Sequence, residues 1–524
     1  MAVPNGSRTY DIIVFGDEVP GVLALVSAAR EYKRRTNAFP KTLLLFKGNS
    51  QLGIGGHLVR GGLSYLDRSS IPLPIRQANN LDTFGDPPAI YKEFLQKAGV
   101  QLIALDPNKA SAALRTMLSA VNADILDNVE IESVFKEGQK ISGIQLTNGN
   151  TYQGKQFIDC SVNAELAQAA GSRKLKGFET FGLPDSELCV TLVFQTAGLS
   201  IQNLQKVELQ YLKRFTNTAD QNAQNWLNIA AGGDAEFADQ LRDDLKDRAG
   251  KLKTMVVGED YIDIRSKALS IAYHSFRGTS LSLEESGAIL DNANIAILPS
   301  GSLSWNALLF SVNADEAETL ARAKAQPTPE MLQEMDFVAK WFRSIGMNTV
   351  KPASELYIRH AGNVTGVVSP LTGAQMLAGG VPASEALGTF GYHFDIRGGI
   401  KDLGIRAANK GLGNLLFFDP PLFNIGIQHA LLKDVPNLAV ISPASGFEGY
   451  ACAAGRIVEF NCGVGQGVGI ASAIALLSDR NLANISNKEV RNVLATTGKL
   501  PKIYGQTDAL QAQQLDNFEH KIPA

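Results

Sequence analysis

Asp11-Ile12-Ile13-Val14-Phe15-Gly16-Asp17-Glu18-Val19-Pro20-Gly21 decides how this chain is read. Asp11 to Phe15 is a short apolar run rich in β-branched residues, as expected of a strand buried on both faces. Gly16 and Gly21 bracket a turn, after which Val22, Leu23, Leu25, Val26, Ala28 and Ala29 fall at helical spacing. A polar stretch ending at Pro40 leads to a second apolar run, Thr42 to Phe46. The order is strand, glycine turn, helix, strand: a βαβ unit.

In dinucleotide-binding units of this kind the first glycine makes the tight turn and the last lets the helix pack closely on the strand. The free N–H groups at the helix start, with their positive dipole end, face a pyrophosphate. Gly16 and Gly21 hold those positions, but Glu18 stands where the middle glycine would be, its carboxylate expected to point away from phosphate. Phe46 replaces the acid that would end the second strand and accept from ribose hydroxyls. Taken alone, the turn fits an ordinary tight connection as well as a nucleotide site. Its context adds Gln51 to Gly62, a loop with Gly53, Gly55, Gly56, Gly61 and Gly62 directly after the second strand. Such a backbone suits close approach to a flat ligand or its phosphates, and the end of a parallel strand is where ligands bind. The alternative is a flexible surface loop.

With 524 residues, two or three folded units are expected, and 45% hydrophobic residues are too many for a disordered chain. Lys plus Arg number 49 against 52 Asp plus Glu, a net charge of -3, so nothing speaks for nucleic acid or an anionic membrane surface. Charged residues are only 19%, which hints at a buried contact between copies, a homo-oligomer. Cys160, Cys189, Cys452 and Cys462 form no C-x-x-C pair or disulfide framework, and the six histidines show no metal-binding spacing. The amino terminus lacks an apolar leader, and no apolar run approaches the roughly 18 residues that span a bilayer. The expectation is a cytoplasmic α/β protein with no metal.

From Val129 to Phe157 the pattern alternates, with turns near Glu137-Gly138 and at Thr147-Asn148-Gly149. Phe157-Ile158-Asp159 then leads into Cys160-Ser161-Val162-Asn163-Ala164-Glu165-Leu166-Ala167. This succession resembles the FAD-dependent oxidoreductase family with a glutathione-reductase-type flavin fold, in which a segment of the form I-D-A-T-G-D-A-D-L-A returns to the sheet after a β-meander. Cys160 reads as a small buried residue there, not as a nucleophile. The match extends to the carboxyl end, where Asn437, Leu438, Arg456, Gly465, Gln466 and Gly469 occupy the positions of the family's last strand, loop and helix. A glycine-rich helix start at Cys462 to Gly469 would bring backbone and dipole to the flavin's pyrimidine edge, whereas the bland reading is a tightly packed core helix.

The resemblance implies an α/β fold: a Rossmann-like FAD-binding domain with a β-meander over 10–175, an inserted α+β substrate domain over 176–400, a return to the flavin domain over 401–482, and a tail from 483. Within the insertion, Thr328-Pro329-Glu330 starts a helix with Leu332, Met335, Val338, Phe342 and Ile345 as its apolar stripe, and Asp234 to Lys253 reads as a charged surface helix. The chain also keeps the family's Arg359, Gly366, Leu371, Thr372, Tyr392 and Asp395, but has Arg397 where a final His is expected. The implied cofactor is FAD, held non-covalently by Gly16, Gly21, Gly55, Gly56, His57, Gly62, Val134, Ser161, Asn163, Arg456, Gly465, Gln466, Gly467, Val468 and Gly469. The implied activity is hydride transfer from a small organic substrate to flavin N5, followed by reoxidation by an acceptor the sequence does not identify. His57, Arg359, Tyr392 and His393 are the candidates for orienting substrate or moving its proton. Arg359 and Arg397 fit a domain-boundary salt bridge equally well, and a flavin-fold partner without catalysis is the alternative function.

Overall fold

Ile12–Phe15 (β1), Thr42–Leu45 (β2) and Gln156–Asp159 (β4) are buried at every residue, as strands covered on both faces must be. With Asp124–Leu126 (β3) and Leu438–Val440 (β5) they form one parallel sheet in the order β3-β2-β1-β4-β5, a doubly wound arrangement. The computed structural model describes residues 8–413 and 418–523; the first seven, part of the amino terminus read above, lie outside them. Alternation along β1 sorts its side chains. Val14 faces a core that includes helix α1 (Val19–Thr36), while Ile13 and Phe15 face the antiparallel strands Ile131–Glu137, Lys140–Leu146 and Thr151–Gln153. The expected meander is therefore present, and it seals one face of the sheet.

Gly16 closes β1 at φ +99°, and a Cβ there would stand 2.3 Å from the Cys160 carbonyl carbon. A Cβ at Gly21 would stand 2.3 Å from that of Cys160. Neither position tolerates a side chain without moving the segment after β4. The glycine loop follows β2 as expected; a single 3-10 turn, Ser50–Leu52, leads into it, and it contains the short α-helix Gly56–Val59 (α2).

The carboxyl-terminal return differs from expectation. Its helix, Val458–Ser478 (α3), begins seven residues before Gly465, so Gly465, Gln466, Gly467, Val468 and Gly469 lie in its interior. Gly465 and Gly469 face α1, where added Cβ atoms would meet the Pro20 and Ala24 carbonyl oxygens at 2.6 Å and 2.2 Å. Close helix packing accounts for Gly465 and Gly469, which lie inside the helix and not at its start. Gly467 meets Ile427 and Leu387, and the Gln466 side chain accepts a hydrogen bond from Ile90 N–H. This helix also corrects the reading of apolar runs: by length and composition it could cross a membrane, yet most of it is buried inside the fold.

The insertion holds an antiparallel six-stranded sheet in the order Val256–Val257, Tyr261–Asp263, Ala288–Ile297, Leu303–Phe310, Val190–Ala197, Thr349–Pro352. Its own buried core runs from Cys189 to Ile358. The helix Pro329–Ser344 starts at the Thr328 cap and buries Met335, Val338 and Phe342, but Met331 takes the place of the exposed Leu332. The charged helix covers only Ala235–Asp243: the Asp247 carboxylate accepts from Ala249 and Lys251 N–H, and Gly250 takes φ +74°, turning the chain. After residue 482 the chain continues as Asn487–Thr496 and Ala509–Lys521, and Leu515 and Phe518 of the latter pack against Phe178 and Phe181.

Replacing Gly469 by Leu should separate α3 from α1 and lower unfolding free energy by about 3 kcal/mol. A urea melt showing a loss below about 1 kcal/mol would contradict the contact. Glu208, buried in the insertion, has its carboxyl pushed up to about 7 by burial, against the hydrogen bond from Met255 N–H. A raised folded-state value means a contribution complete below the unfolded pKa and lost as pH rises through about 7, here about 3 kcal/mol. Comparing stability at pH 4.5 and 8 in wild type and Glu208→Gln should show this slope disappear in the variant.

Candidate functional site

The carboxyl ends of β1, β2 and β4 open into a cleft of about 70 Å³. Gly16, Asp17 and Glu18 line it after β1, Phe46 and Lys47 after β2, and Cys160 and Ser161 after β4. The insertion roofs it with Ala321, Ala325, Leu356 and Ile358, so the cleft lies between the two units.

Two carboxylates of the glycine turn are bound by the loop that follows β2. Asp17 accepts from the N–H groups of Gly55 (2.9 Å) and Gly56 (3.3 Å) and from both Arg60 terminal nitrogens, at 2.5 and 2.9 Å. Arg60 Nε donates to Glu355 at 2.6 Å. Burial works against the Arg60 charge, but Asp17 and Glu355 outweigh it and hold the guanidinium above its usual pKa. Glu18 accepts from His57 N–H at 3.1 Å and meets His57 Nδ1 at 2.5 Å. Its carboxylate is thus directed to the start of α2. Lys47 pairs with Glu165 across the cleft at 2.7 Å.

His57 also lines a second, smaller cavity of about 10 Å³, together with Tyr357, Asp67, Arg456 and Ile457 at the start of α3. Its ring stacks on Tyr357 with centroids 4.8 Å apart, and Nε2 has no partner. Arg456 is buried; it donates to the Asp395 carboxylate at 2.5 Å, while its Nε has no partner. Tyr392 lies beside it, 5.8 Å from ring centroid to guanidinium carbon, and burial holds its phenol well above the ordinary value.

The expected residues divide by place. Gly16, His57 and Ser161 line the larger cleft, and His57 and Arg456 line the smaller. Gly55 and Gly56 bind Asp17, and the Gly62 carbonyl accepts from Ser304 of the inserted sheet. Ser161 donates to Asp159, a fully buried carboxyl raised to about 6 by burial. Burial likewise raises the Cys160 thiol far above its ordinary pKa, which fits an inert core residue. Val134 sits in the meander, packed beside Ile144, and Gly465 to Gly469 sit in α3, away from both cavities. His393 is exposed and stacks on Tyr392 at 4.6 Å. Arg397 pairs with Asp291 of the inserted sheet at 2.9 Å; among the described residues Arg359 forms no salt bridge.

Sequence reading missed Arg60, Glu355, Lys47 and Tyr357 as site residues. Two adjacent acids in a glycine turn need a neutralising partner, and Arg60 in the next glycine loop was the available signal. Nothing local marked Glu355 or Tyr357, which arrive from the insertion.

The implied FAD fits on two observations. Gly16 and Gly21 leave no room for a Cβ, the close approach such a turn requires. Buried polar atoms without partners recur in this region: both side-chain atoms of Asn163, His57 Nε2 and Arg456 Nε.

A model of the family described as FAD dependent oxidoreductase matches residues 11–494. No curated protein matches the sequence. Among solved structures the chain is similar to L-proline dehydrogenase from P. horikoshii, at 10% identity over 94% of this chain and 100% of that one, with TM-score 0.35. It is similar too to p-nitrophenol 4-monooxygenase from Pseudomonas putida DLL-E4, at 7% identity over 98% and 94%, with TM-score 0.39. Such scores carry no weight here, whereas the family match runs through both ends of the parallel sheet and the whole insertion. The protein belongs to the FAD dependent oxidoreductase family, and its cofactor is FAD.

Proposed function

We propose that the chain holds FAD non-covalently across the two cavities and oxidises a small organic substrate by hydride transfer, the chemistry that bound flavin supplies at N5. The observation that carries this reading is adjacency: His57 borders both the cleft at the glycine turn and the cavity at the start of α3, so one elongated molecule would reach both past its ring. Gly16 and Gly21 would admit the pyrophosphate, Ser161 and Asn163 would donate to its phosphates, and Gly55 to His57 and Gly62 would follow its length. The first turn of α3, with Arg456 and Ile457, takes the role first given to Gly465 through Gly469: its free N–H groups and dipole favour negative charge.

His57 is the residue suited to hold or move a proton. Glu18 fixes its Nδ1, which leaves Nε2 for a ligand. Ala321, Ala325, Leu356 and Ile358 exclude water from above. The electron acceptor is a separate molecule, and the free, buried cysteines suit a reducing, cytoplasmic setting.

Purified protein should be yellow, release FAD on denaturation and bleach when an oxidisable substrate is added without oxygen. A folded, colourless protein that excess FAD does not colour would refute cofactor binding, and stable colour that no reductant substrate bleaches would favour a flavin-binding partner without catalysis. Asn163→Leu removes a fully buried amide that has no side-chain partner, so stability should hold or rise while FAD affinity falls about tenfold or more. Flavin fluorescence titration and a urea melt on the same variant read the two effects separately.

A further inference from the structure

Three arginines are buried among the described residues: Arg60, Arg359 and Arg456. Arg60 holds Asp17 and Glu355, and Arg456 holds Asp395. Arg359, 2% exposed, has no carboxylate within ion-pair distance among the described residues; its hydrogen bonds all run from Nη1, to the Cys189 carbonyl (3.0 Å) and the Thr191 hydroxyl (2.7 Å). Its Nε has no partner. Leaving a buried guanidinium without a counter-charge costs several kcal/mol.

Neighbouring acids do not supply the missing charge. Asp395 is shared by Arg456 and, at 4.0 Å, Arg397; Asp291 is shared by Arg397 and Lys267. Three cations therefore already share two carboxylates, with Asp67 4.0 Å from Arg456 as the next acid, and Arg359 is a fourth with none of its own among the described residues. The excess lies beside the candidate site, because the Arg359 guanidinium stands 4.2 Å from the ring centroid of Tyr357, the ring on which His57 stacks. The Tyr357 hydroxyl in turn lies 3.5 Å from Arg456.

We propose that Arg359 binds the carboxylate of an anionic substrate, with its Nε–Nη2 edge facing two oxygens of the ligand and Arg456 adding positive potential. Side-on, bidentate pairing is what a planar guanidinium offers a carboxylate when Nη1 is already engaged by protein. This inference rests on the oxidoreductase reading of the same site and narrows it: the substrate is a small organic acid, not a neutral alcohol or amine.

The test uses FAD-loaded protein and two probes of one shape, benzoate and benzamide, titrated by calorimetry at fixed ionic strength. Benzoate should bind about tenfold tighter or better. Arg359→Met should abolish the preference with FAD content unchanged, and Arg359→Lys, which keeps charge but not the fork, should retain part of it. Equal affinity for the two probes, no binding of either, or a preference that survives in Arg359→Met overturns the proposal. Should Arg359→Met not fold, the wild-type comparison and Arg359→Lys still decide. Should the protein prove colourless, the oxidoreductase reading fails, while the same titration on that protein judges the carboxylate site separately.

Discussion

The structure depends on backbone meeting backbone where side chains would ordinarily intervene. Gly16 and Gly21 let the first turn and helix rest on Cys160 and Ser161, and Gly465 and Gly469 let α3 lie against the carbonyls of α1. These contacts bring residues 16–21, 160–161 and 465–469 to one place, and the opening of the cleft at the ends of β1 and β4 follows from them. A missing Cβ carries no binding energy by itself; it permits an approach at which a Cβ would fall 2–3 Å from a neighbouring atom, and dispersion and burial act over the whole contact.

That dependence explains what could be read in advance. The βαβ unit and the meander announce themselves locally, through buried runs, alternation and turn residues within a few positions of each other. The start of α3 did not, because Gly463, Gly465, Gly467 and Gly469 have poor helix propensity and look like a loop; tertiary packing against α1 and the Ile427–Leu387 region overrides that preference. The site was legible only on the side contributed by the parallel sheet. Arg60 meets Glu355 across 295 positions of sequence, and Tyr357 reaches His57 from the far end of the inserted unit, so no spacing within either segment encodes the encounter.

Charge is handled differently at the two ends of the site. Near the glycine turn, Asp17 and Glu355 sandwich Arg60, and Glu18 meets His57 Nδ1, so the acids introduced there are answered by side chains of the facing glycine loop. Around Arg359 the balance tips to positive, with Asp395 and Asp291 each already serving two cations. A low-dielectric junction with one end neutralised and the other left positive would orient an anionic ligand before any contact is made, as the proposed carboxylate site requires.

The departure from a standard phosphate turn at Glu18 is answered by the loop that faces it. Glu18 stands where a glycine is expected, and a carboxylate there would ordinarily repel phosphate. Gly56, on the facing loop, takes φ +52°, and a Cβ at that position would fall 2.0 Å from Glu18 Oε1. The side chain gained on the turn therefore fills space given up by the loop, and the His57 amide and ring satisfy its oxygens. Restoring a glycine at 18 would strip His57 of the partner that fixes Nδ1, so in this chain the acid holds the orientation of His57.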